Sequence, residues 1–289
     1  MHLEKPRPAP RLVEVGPRDG LQNEKKTVPL EAKVAFIDAL SASGLHEIEA
    51  GAFVNPKDFP QLADSERVFA RIRRDPGTAY SAVVASAAGL ELALAVKADK
   101  ICVPAAASES YSQKIAKSSI MGTIERLRPV VARARAARLP VRASIAAAYW
   151  CPYEGKVDPA KAVSVVRLLS GIGVSEFSVA DTAGKASPDE VRKLLFLLLK
   201  AVAKDSVFLS FHNAFGRAVA NSIVAWKTFG VSGFDASAGG AGGLAATEGL
   251  ASAFKAAGAE LAVDEAKLKA AAAGLFKHLG RPAGTRPQK

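Results

Sequence analysis

The chain has 289 residues, of which 49% are hydrophobic and 23% charged, and its formal net charge is +11. This composition is typical of a folded globular protein and argues against disorder of the whole chain. The positive charge is compatible with a nucleic-acid partner, an anionic small substrate or a solvated basic surface. Because the basic residues are scattered over predicted helices and are not interleaved with aromatic residues, a platform for stacking nucleic-acid bases is disfavoured.

The cysteine content and the hydropathy pattern narrow the class of protein further. Cys102 and Cys151 are the only cysteines, and each lies in an apolar segment without metal-ligand spacing. Neither a disulfide framework nor a zinc knuckle is therefore predicted. No apolar run reaches the roughly 18 residues that a membrane-spanning helix needs, and residues 1–11 lack the apolar segment of a secretion signal. We expect a cytoplasmic protein with neither a membrane nor a nucleic-acid partner.

Short apolar segments alternate with longer segments of helical spacing about eight times along the chain, which is typical of βα units. An open doubly wound sheet often carries Gly-x-Gly-x-x-Gly after its first strand, whereas here the sequence is Gly-Pro-Arg-Asp-Gly. We predict an α/β fold, a (β/α)8 TIM barrel, as a single domain over residues 1–280 with a flexible tail at 281–289. The predicted strands are 12–15, 47–50, 80–85, 100–103, 141–147, 176–180, 207–211 and 233–236.

The segment between the first two strands illustrates how the helices are predicted. Pro29 stands where a helix is expected to begin, and Val34, Ile37 and Leu40 follow at helical spacing. Gly44 then supplies a residue that tolerates the left-handed conformation common at helix ends. This unit predicts one helix between strands one and two.

In such a barrel the active site lies at the carboxyl ends of the strands, so polar residues at those ends are the first candidates. A single Arg-Asp pair is more often a surface ion pair, and a single histidine at a strand end is often structural. Convergence of several strands on one mouth nevertheless favours an active site. The candidates are Arg18 and Asp19 after strand one, Glu49 in strand two, Asp181 after strand six, and Ser210 with His212 at strand seven.

The chemistry of these side chains suits a reaction in which negative charge develops. An aspartate and an imidazole, such as Asp19 and His212, are suitable ligands for Mg²⁺ or Mn²⁺. Arg18 could hold an oxyanion beside such an ion. Glu49 and Asp181 could orient Arg18 or transfer protons.

The segment VEVGPRDGLQNE at 13–24 resembles the opening of 3-hydroxy-3-methylglutaryl-CoA (HMG-CoA) lyases. Later blocks resemble the same family in the same order: IEA at 48–50 with FVNPK at 53–57, CPYEGK at 151–156, and DTAG at 181–184. The similarity extends from about residue 11 to residue 260.

This resemblance implies a TIM barrel of the metal-dependent lyase and condensing superfamily. The implied reaction is cleavage of HMG-CoA, or of a related 3-hydroxyacyl-CoA, to acetyl-CoA and a keto acid, with a role in leucine catabolism and a possible homodimer. The residue roles that the resemblance implies are a divalent metal, Mg²⁺ or Mn²⁺, on Asp19 and His212, enolate stabilisation by Arg18, proton transfer and support by Glu49 and Asp181, and a substrate contact by Gln22 beside the metal.

Two departures from the family pattern concern the metal ligands and the catalytic cysteine. Ser210 stands where the family has the first histidine of a His-x-His sequence, and Leu244 stands where an asparagine ligand is expected. The loop after strand eight is shortened to GGAGG at 239–243 and has no cysteine. Three hypotheses follow: a lyase with an altered metal shell, a related lyase acting on another 3-hydroxyacyl-CoA, or a barrel that binds an acyl-CoA or a protein partner without catalysis.

Overall fold

A computed structural model describes residues 7–284 of the chain. Eight parallel strands form a closed barrel in which each strand pairs with the next along the chain and the last pairs with the first. The predicted (β/α)8 TIM barrel is confirmed. The strands are Arg11–Glu14 (β1), Glu47–Phe53 (β2), Ala79–Val84 (β3), Lys100–Ala106 (β4), Val141–Ala146 (β5), Glu176–Asp181 (β6), Val207–Phe211 (β7) and Gly233–Ala236 (β8).

The helices surround the barrel and turn their apolar residues toward the strands. Pro29 directly precedes the first helix, and Gly44 after it has a φ of +78°, as the sequence predicted. The last helix packs against the first, which joins the end of the chain to its beginning. The helices are Leu30–Ser41 (α1), Ser65–Arg71 (α2), Ala87–Ala95 (α3), Glu109–Ile115 (α4), Ile120–Ala136 (α5), Pro159–Gly171 (α6), Pro188–Leu198 (α7), Ala218–Val224 (α8), Thr247–Ala256 (α9) and Glu265–Leu279 (α10).

The strand boundaries differ most from the prediction in β2 and β4, which continue to Phe53 and Ala106. In β2 the register with β3 shifts between Glu49 and Gly51, a local irregularity that a short apolar pattern does not reveal. A Cβ at Gly51 would lie 2.7 Å from Oγ of Ser65. Glycine at this position therefore allows α2 to approach the strand closely.

The barrel interior contains buried ion pairs in addition to apolar side chains. Arg142 contacts the carboxylate of Asp235 at very short range, and Lys100 Nζ lies 2.8 Å from Glu47. Buried charges destabilise a fold unless they are paired, and these pairs meet that requirement. Glu47 and Lys100 begin β2 and β4 and therefore lie at the amino ends of the strands, whereas the ligand site of such a barrel is expected at the carboxyl ends.

The end of the described chain packs against the barrel. The guanidinium of Arg281 contacts the carboxylate of Glu24 and lies 4.7 Å from the ring centroid of Phe276. Residues 285–289 of the predicted tail lie outside the described residues, so the domain boundary at residue 280 stays a prediction. No helix within residues 7–284 has the length and apolar character needed to cross a membrane.

Candidate active site

The Gly-Pro-Arg-Asp-Gly sequence after β1 forms a tight π-helical turn over Gly16–Gly20. The amides of Arg18 and Asp19 donate to the carbonyl of Val15 at 3.1 and 2.7 Å. A Cβ at Gly20 would lie 2.8 Å from a side chain of the loop after β8, so only glycine allows the two segments to pack this closely. The turn presents two charged side chains at the carboxyl end of the barrel.

Four predicted site residues, Arg18, Asp19, Gln22 and Glu49, contact one another and are named the Arg18 cluster. Arg18 donates through Nε to Glu49 at very short range and through Nη1 to Asp19 Oδ1 at 2.9 Å. Gln22 Nε2 donates to the same Asp19 oxygen at 2.6 Å, and Gln22 Oε1 accepts from Arg18 at 3.3 Å. The arginine is thus held from two sides.

The electrostatics of the Arg18 cluster keep the guanidinium charged. Burial opposes the charge of Arg18, but the negative charges of Glu49 and Asp19 outweigh it and raise the pKa of the guanidinium. Burial also raises the pKa of Glu49, while the positive charges of Arg18 and Arg142 oppose that rise. The side chain of Arg18 is 14% exposed, against 2% for Glu49. A ligand at the mouth can therefore reach Arg18, whereas Glu49 is shielded behind it.

Two tyrosines that the sequence-based prediction missed form an aromatic wall beside this cluster. The rings of Tyr111 on α4 and Tyr153 lie 6.1 Å apart, and Lys114 Nζ lies 5.3 Å from the Tyr153 ring centroid. Burial, aided by the negative charge of Asp19, raises the pKa of Tyr111 to about 12. Its hydroxyl therefore keeps its proton at neutral pH. The position of Tyr111 shortly after the end of a barrel strand was the available signal.

Asp181, the last residue of β6, is buried beneath the loop that follows the strand. Its Oδ2 accepts a hydrogen bond from the amide of Ala186 at 2.8 Å. Burial raises the pKa of Asp181 to about 6, against the hydrogen bonds from the loop amides. These hydrogen-bond partners belong to the loop rather than to the Arg18 cluster. The catalytic role assigned to Asp181 therefore stays a prediction, while its contacts indicate that it fixes the loop.

The neighbouring part of the mouth, formed after β7 and β8, is lined by a hydroxyl, an imidazole and a leucine side chain. Ser210 is 7% exposed, and half-buried His212 forms an antiparallel bridge with Leu244. Leu244 is 2% exposed and clusters with Val13 and Val15. The structure thus places a hydrocarbon side chain, not a polar one, beside His212.

Glu14, which lies in the VEVGPRDGLQNE block but is not among the predicted site residues, connects the two parts of the mouth. Its carboxylate accepts hydrogen bonds from the amides of Gly16 at 2.8 Å and Ala238 at 3.0 Å, and from the hydroxyl of Thr247 at 2.6 Å. Burial raises the pKa of Glu14 to about 7 despite these hydrogen bonds. Glu14 therefore ties the turn after β1 to the glycine-rich loop after β8.

A sequence model of the HMGL-like family matches residues 9–274, which is almost the whole described chain. The chain belongs to the HMGL-like family. The resemblance read from the VEVGPRDGLQNE block is confirmed, because the match includes this block and the later ones.

Several HMGL-like proteins are similar to this chain over most of their length. A 3-hydroxy-3-isohexenylglutaryl-CoA/hydroxy-methylglutaryl-CoA lyase of Pseudomonas aeruginosa is 42% identical over 83% of this chain and 79% of its own length. The crystal structure of an HMG-CoA lyase from Brucella melitensis superposes with a TM-score of 0.91 at 38% identity, covering 94% of this chain and 99% of that chain. An HMG-CoA lyase from Acinetobacter baumannii, solved with coenzyme A and 3-methylmalate, gives a TM-score of 0.91 at 28% identity over 96% of this chain and 93% of its own.

The metal that the HMGL-like resemblance implies does not match the side chains present. Within residues 7–284, no group of three or more His, Cys, Asp and Glu side chains is arranged to hold a metal ion. The predicted ligand Asp19 is engaged by Arg18 and Gln22, and Leu244 offers no donor atom beside His212. Divalent ions such as Mg²⁺ and Mn²⁺ require several oxygen or nitrogen ligands. The predicted pair of ligands is therefore incomplete.

Proposed function

We propose that this HMGL-like protein is a carbon-carbon lyase that cleaves HMG-CoA, or a closely related 3-hydroxyacyl-CoA, to acetyl-CoA and a keto acid. The single observation that carries the proposal is the Arg18 cluster, in which a charged, partly exposed guanidinium is held at the barrel mouth by two carboxylates. The names of the Pseudomonas and Brucella relatives support the same reaction class.

Arg18 supplies the stabilisation that the bond cleavage needs. When the bond between C2 and C3 of the substrate breaks, its electron pair moves into the thioester and gives an enolate of acetyl-CoA. The guanidinium donates hydrogen bonds to the enolate oxygen, where the negative charge develops. Glu49 stays bound to Nε and fixes the guanidinium, so little reorganisation is needed during the reaction.

Proton transfer is assigned here to Asp19, in place of Glu49 and Asp181, to which the family resemblance gave that role and whose side chains are buried. Its side chain is 16% exposed and therefore reachable from the mouth, in contrast to Glu49. Asp19 accepts the proton of the substrate's 3-hydroxyl as C2–C3 breaks, and the hydroxyl carbon becomes the carbonyl of the keto acid. The same proton is then returned to C2 of the enolate, which completes acetyl-CoA. Gln22 holds Asp19 through its 2.6 Å hydrogen bond and does not itself donate a proton in the reaction.

The aromatic wall and its lysine are assigned to the thioester substrate. Tyr153 is 48% exposed, and Lys114 adds a positive charge next to it. Exposed aromatic rings with a neighbouring cation suit a nucleotide carrying phosphates. The Acinetobacter protein solved with coenzyme A supports an acyl-CoA ligand for this fold. A homodimer, a cytoplasmic location and a role in leucine catabolism stay predictions.

The experiment that tests the proposal is incubation of the purified full chain with HMG-CoA and detection of acetyl-CoA by mass spectrometry. We expect acetyl-CoA and acetoacetate in equal amounts, and a panel of 3-hydroxyacyl-CoA thioesters then identifies the preferred acyl group. The panel is run with Mg²⁺, with Mn²⁺ and with a chelator. Absence of acetyl-CoA from every thioester under all three conditions would overturn the proposal. Thioester binding without turnover would instead favour the non-catalytic acyl-CoA barrel.

A further inference from the structure

The β7–β8 side of the mouth has the backbone geometry for several ligands but lacks their side chains. Ser210 and His212 are two residues apart on extended backbone, so their side chains point to the same face. Leu244 is paired directly with His212 in an antiparallel bridge, and directly paired side chains also share a face. Three side chains therefore converge here, and only the imidazole is a strong metal ligand.

Leu244 lacks a metal-binding atom, and it also fills the position beside His212 with an apolar side chain. Its side chain is 2% exposed and belongs to an apolar cluster with Val13, Val15 and Phe208. Water that would complete the coordination shell of an ion has no polar partner in that cluster. The side of the mouth next to His212 is therefore unfavourable for a hydrated divalent cation.

The β1–β2 side of the mouth already contains a permanent cation. Oδ1 of Asp19 accepts hydrogen bonds from Arg18 at 2.9 Å and from Gln22 at 2.6 Å. A divalent ion on Asp19 would compete with these donors for the negative charge of the carboxylate and would lie close to the guanidinium, which repels it. The carboxylate pair of Asp19 and Glu49 is neutralised by Arg18 instead.

We infer that the mouth of this barrel does not recruit a divalent metal, and that the guanidinium of Arg18 supplies alone the positive charge that the substrate thioester requires. The inference rests on the proposed lyase function for the role of Arg18, but its statement about metal binding can be tested without any turnover. Ser210 and Leu244 are the two residues that stand in place of metal ligands.

Metal binding is measured directly on the chelator-treated full chain. Mn²⁺ is titrated into the protein by isothermal calorimetry, and the electron paramagnetic resonance signal of free Mn²⁺ is followed in parallel. We expect no saturable site tighter than about 1 mM. Stoichiometric binding of Mn²⁺ that is lost in Asp19→Asn would overturn the inference.

A gain of binding tests whether the two named positions are responsible. The double variant Ser210→His with Leu244→Asn places an imidazole and an amide oxygen on the face that carries His212. We expect it to bind Mn²⁺ at least about tenfold more tightly than the unchanged chain. Ser210→Ala with Leu244→Met is the matched control, because it changes the same positions without adding ligands, and it should remain unable to bind. Equal Mn²⁺ affinity of the two double variants would contradict the assignment of these positions.

The outcomes separate this inference from the proposed function. If the unchanged chain releases acetyl-CoA at the same rate with chelator and with Mn²⁺, both proposals are supported. If it releases acetyl-CoA only with Mn²⁺, the lyase function stands and the metal-free inference falls. If it releases none under either condition and binds no Mn²⁺, the lyase function falls, while the statement that the site takes no divalent metal stands.

Discussion

The two adjoining parts of the barrel mouth differ in the chemistry they offer. The turn after β1 and strand β2 provide the Arg18 cluster, a compact set of charged and amide groups linked by hydrogen bonds. The segments after β7 and β8 provide Ser210, His212 and the buried side chain of Leu244. In the proposed reaction, the arginine on the first side stabilises the developing negative charge, while the second side contributes apolar packing through Leu244.

Glu14 links these two parts, so they are not independent. Its carboxylate bonds to Gly16 on one side and to Ala238 and Thr247 on the other. Because the loop after β8 is short and glycine-rich, it can fold down onto the turn after β1. The loop therefore closes the rim that the Arg18 cluster shares with Leu244.

The largest loss of activity is expected from Arg18→Gln, on the charged side of the mouth. The variant keeps hydrogen-bonding capacity but removes the charge, so kcat/KM for acetyl-CoA release should fall by about 100- to 1000-fold, as for loss of an oxyanion donor. Steady-state kinetics measure the effect. Arg128→Gln is the matched control, because Arg128 is an exposed arginine that pairs with Glu125 on α5, away from the mouth. Unchanged kinetics in Arg18→Gln would show that the charged side of the mouth is not the catalytic side.

The free energy of unfolding of Leu244→Ala tests the packing on the apolar side of the mouth. Truncating a buried leucine removes contacts with Val13 and Val15 and should lower the free energy of unfolding by about 2–4 kcal/mol. Urea denaturation measures the loss, with Leu92→Ala as control because Leu92 is 42% exposed. A loss no larger than that of the control would mean that Leu244 is not packed against Val13 and Val15 and that the apolar side of the mouth is open to water.

The pH dependence of the free energy of unfolding tests Glu14, which links the two sides. Burial raises the pKa of Glu14 to about 7 from an ordinary value near 4.5, so the folded chain holds a proton that the unfolded chain releases. Stability from this group is full below about pH 4.5 and is lost as pH rises to about 7, with a slope of at most about 1.4 kcal/mol per pH unit. Urea unfolding from pH 4.5 to 8 should show this decline. Glu14→Gln should remove the part of it that extends to about pH 7 and leave the part below about pH 6 that the raised pKa of Asp181 contributes. Glu125→Gln, at an exposed position, should keep the decline; a Glu14→Gln profile parallel to that of the unchanged chain would refute the shift.

The smallest effect is expected from Gln22→Ala, within the charged side. Loss of the hydrogen bond to Asp19 leaves the carboxylate held by Arg18 alone, so kcat/KM should fall by about 2- to 10-fold, the equivalent of one hydrogen bond. Gln113→Ala, which removes an exposed glutamine on α4, is the control in the same assay. A loss as large as that of Arg18→Gln would give Gln22 a direct catalytic role instead of a positioning one.

The eight βα units could be predicted from the sequence, because the period of apolar and polar residues reflects local geometry that each segment carries alone. The position of Arg18, Asp19 and Glu49 at one mouth could also be predicted, since parallel strands of a barrel end at the same rim, and the resemblance to HMG-CoA lyases added Gln22. The substitutions at Ser210 and Leu244 were equally visible in the sequence.

Which of these side chains contact one another depends on the tertiary structure and could not be predicted. Arg18 and Glu49 meet because β1 and β2 are neighbours in the barrel, and Glu14 reaches Ala238 because barrel closure places β8 beside β1. Asp181 carries the same type of carboxylate as Asp19, yet it accepts its hydrogen bond from the loop amide of Ala186 and not from a member of the Arg18 cluster. Contacts between residues far apart in the chain depend on strand register and loop path, and no local period encodes either of them.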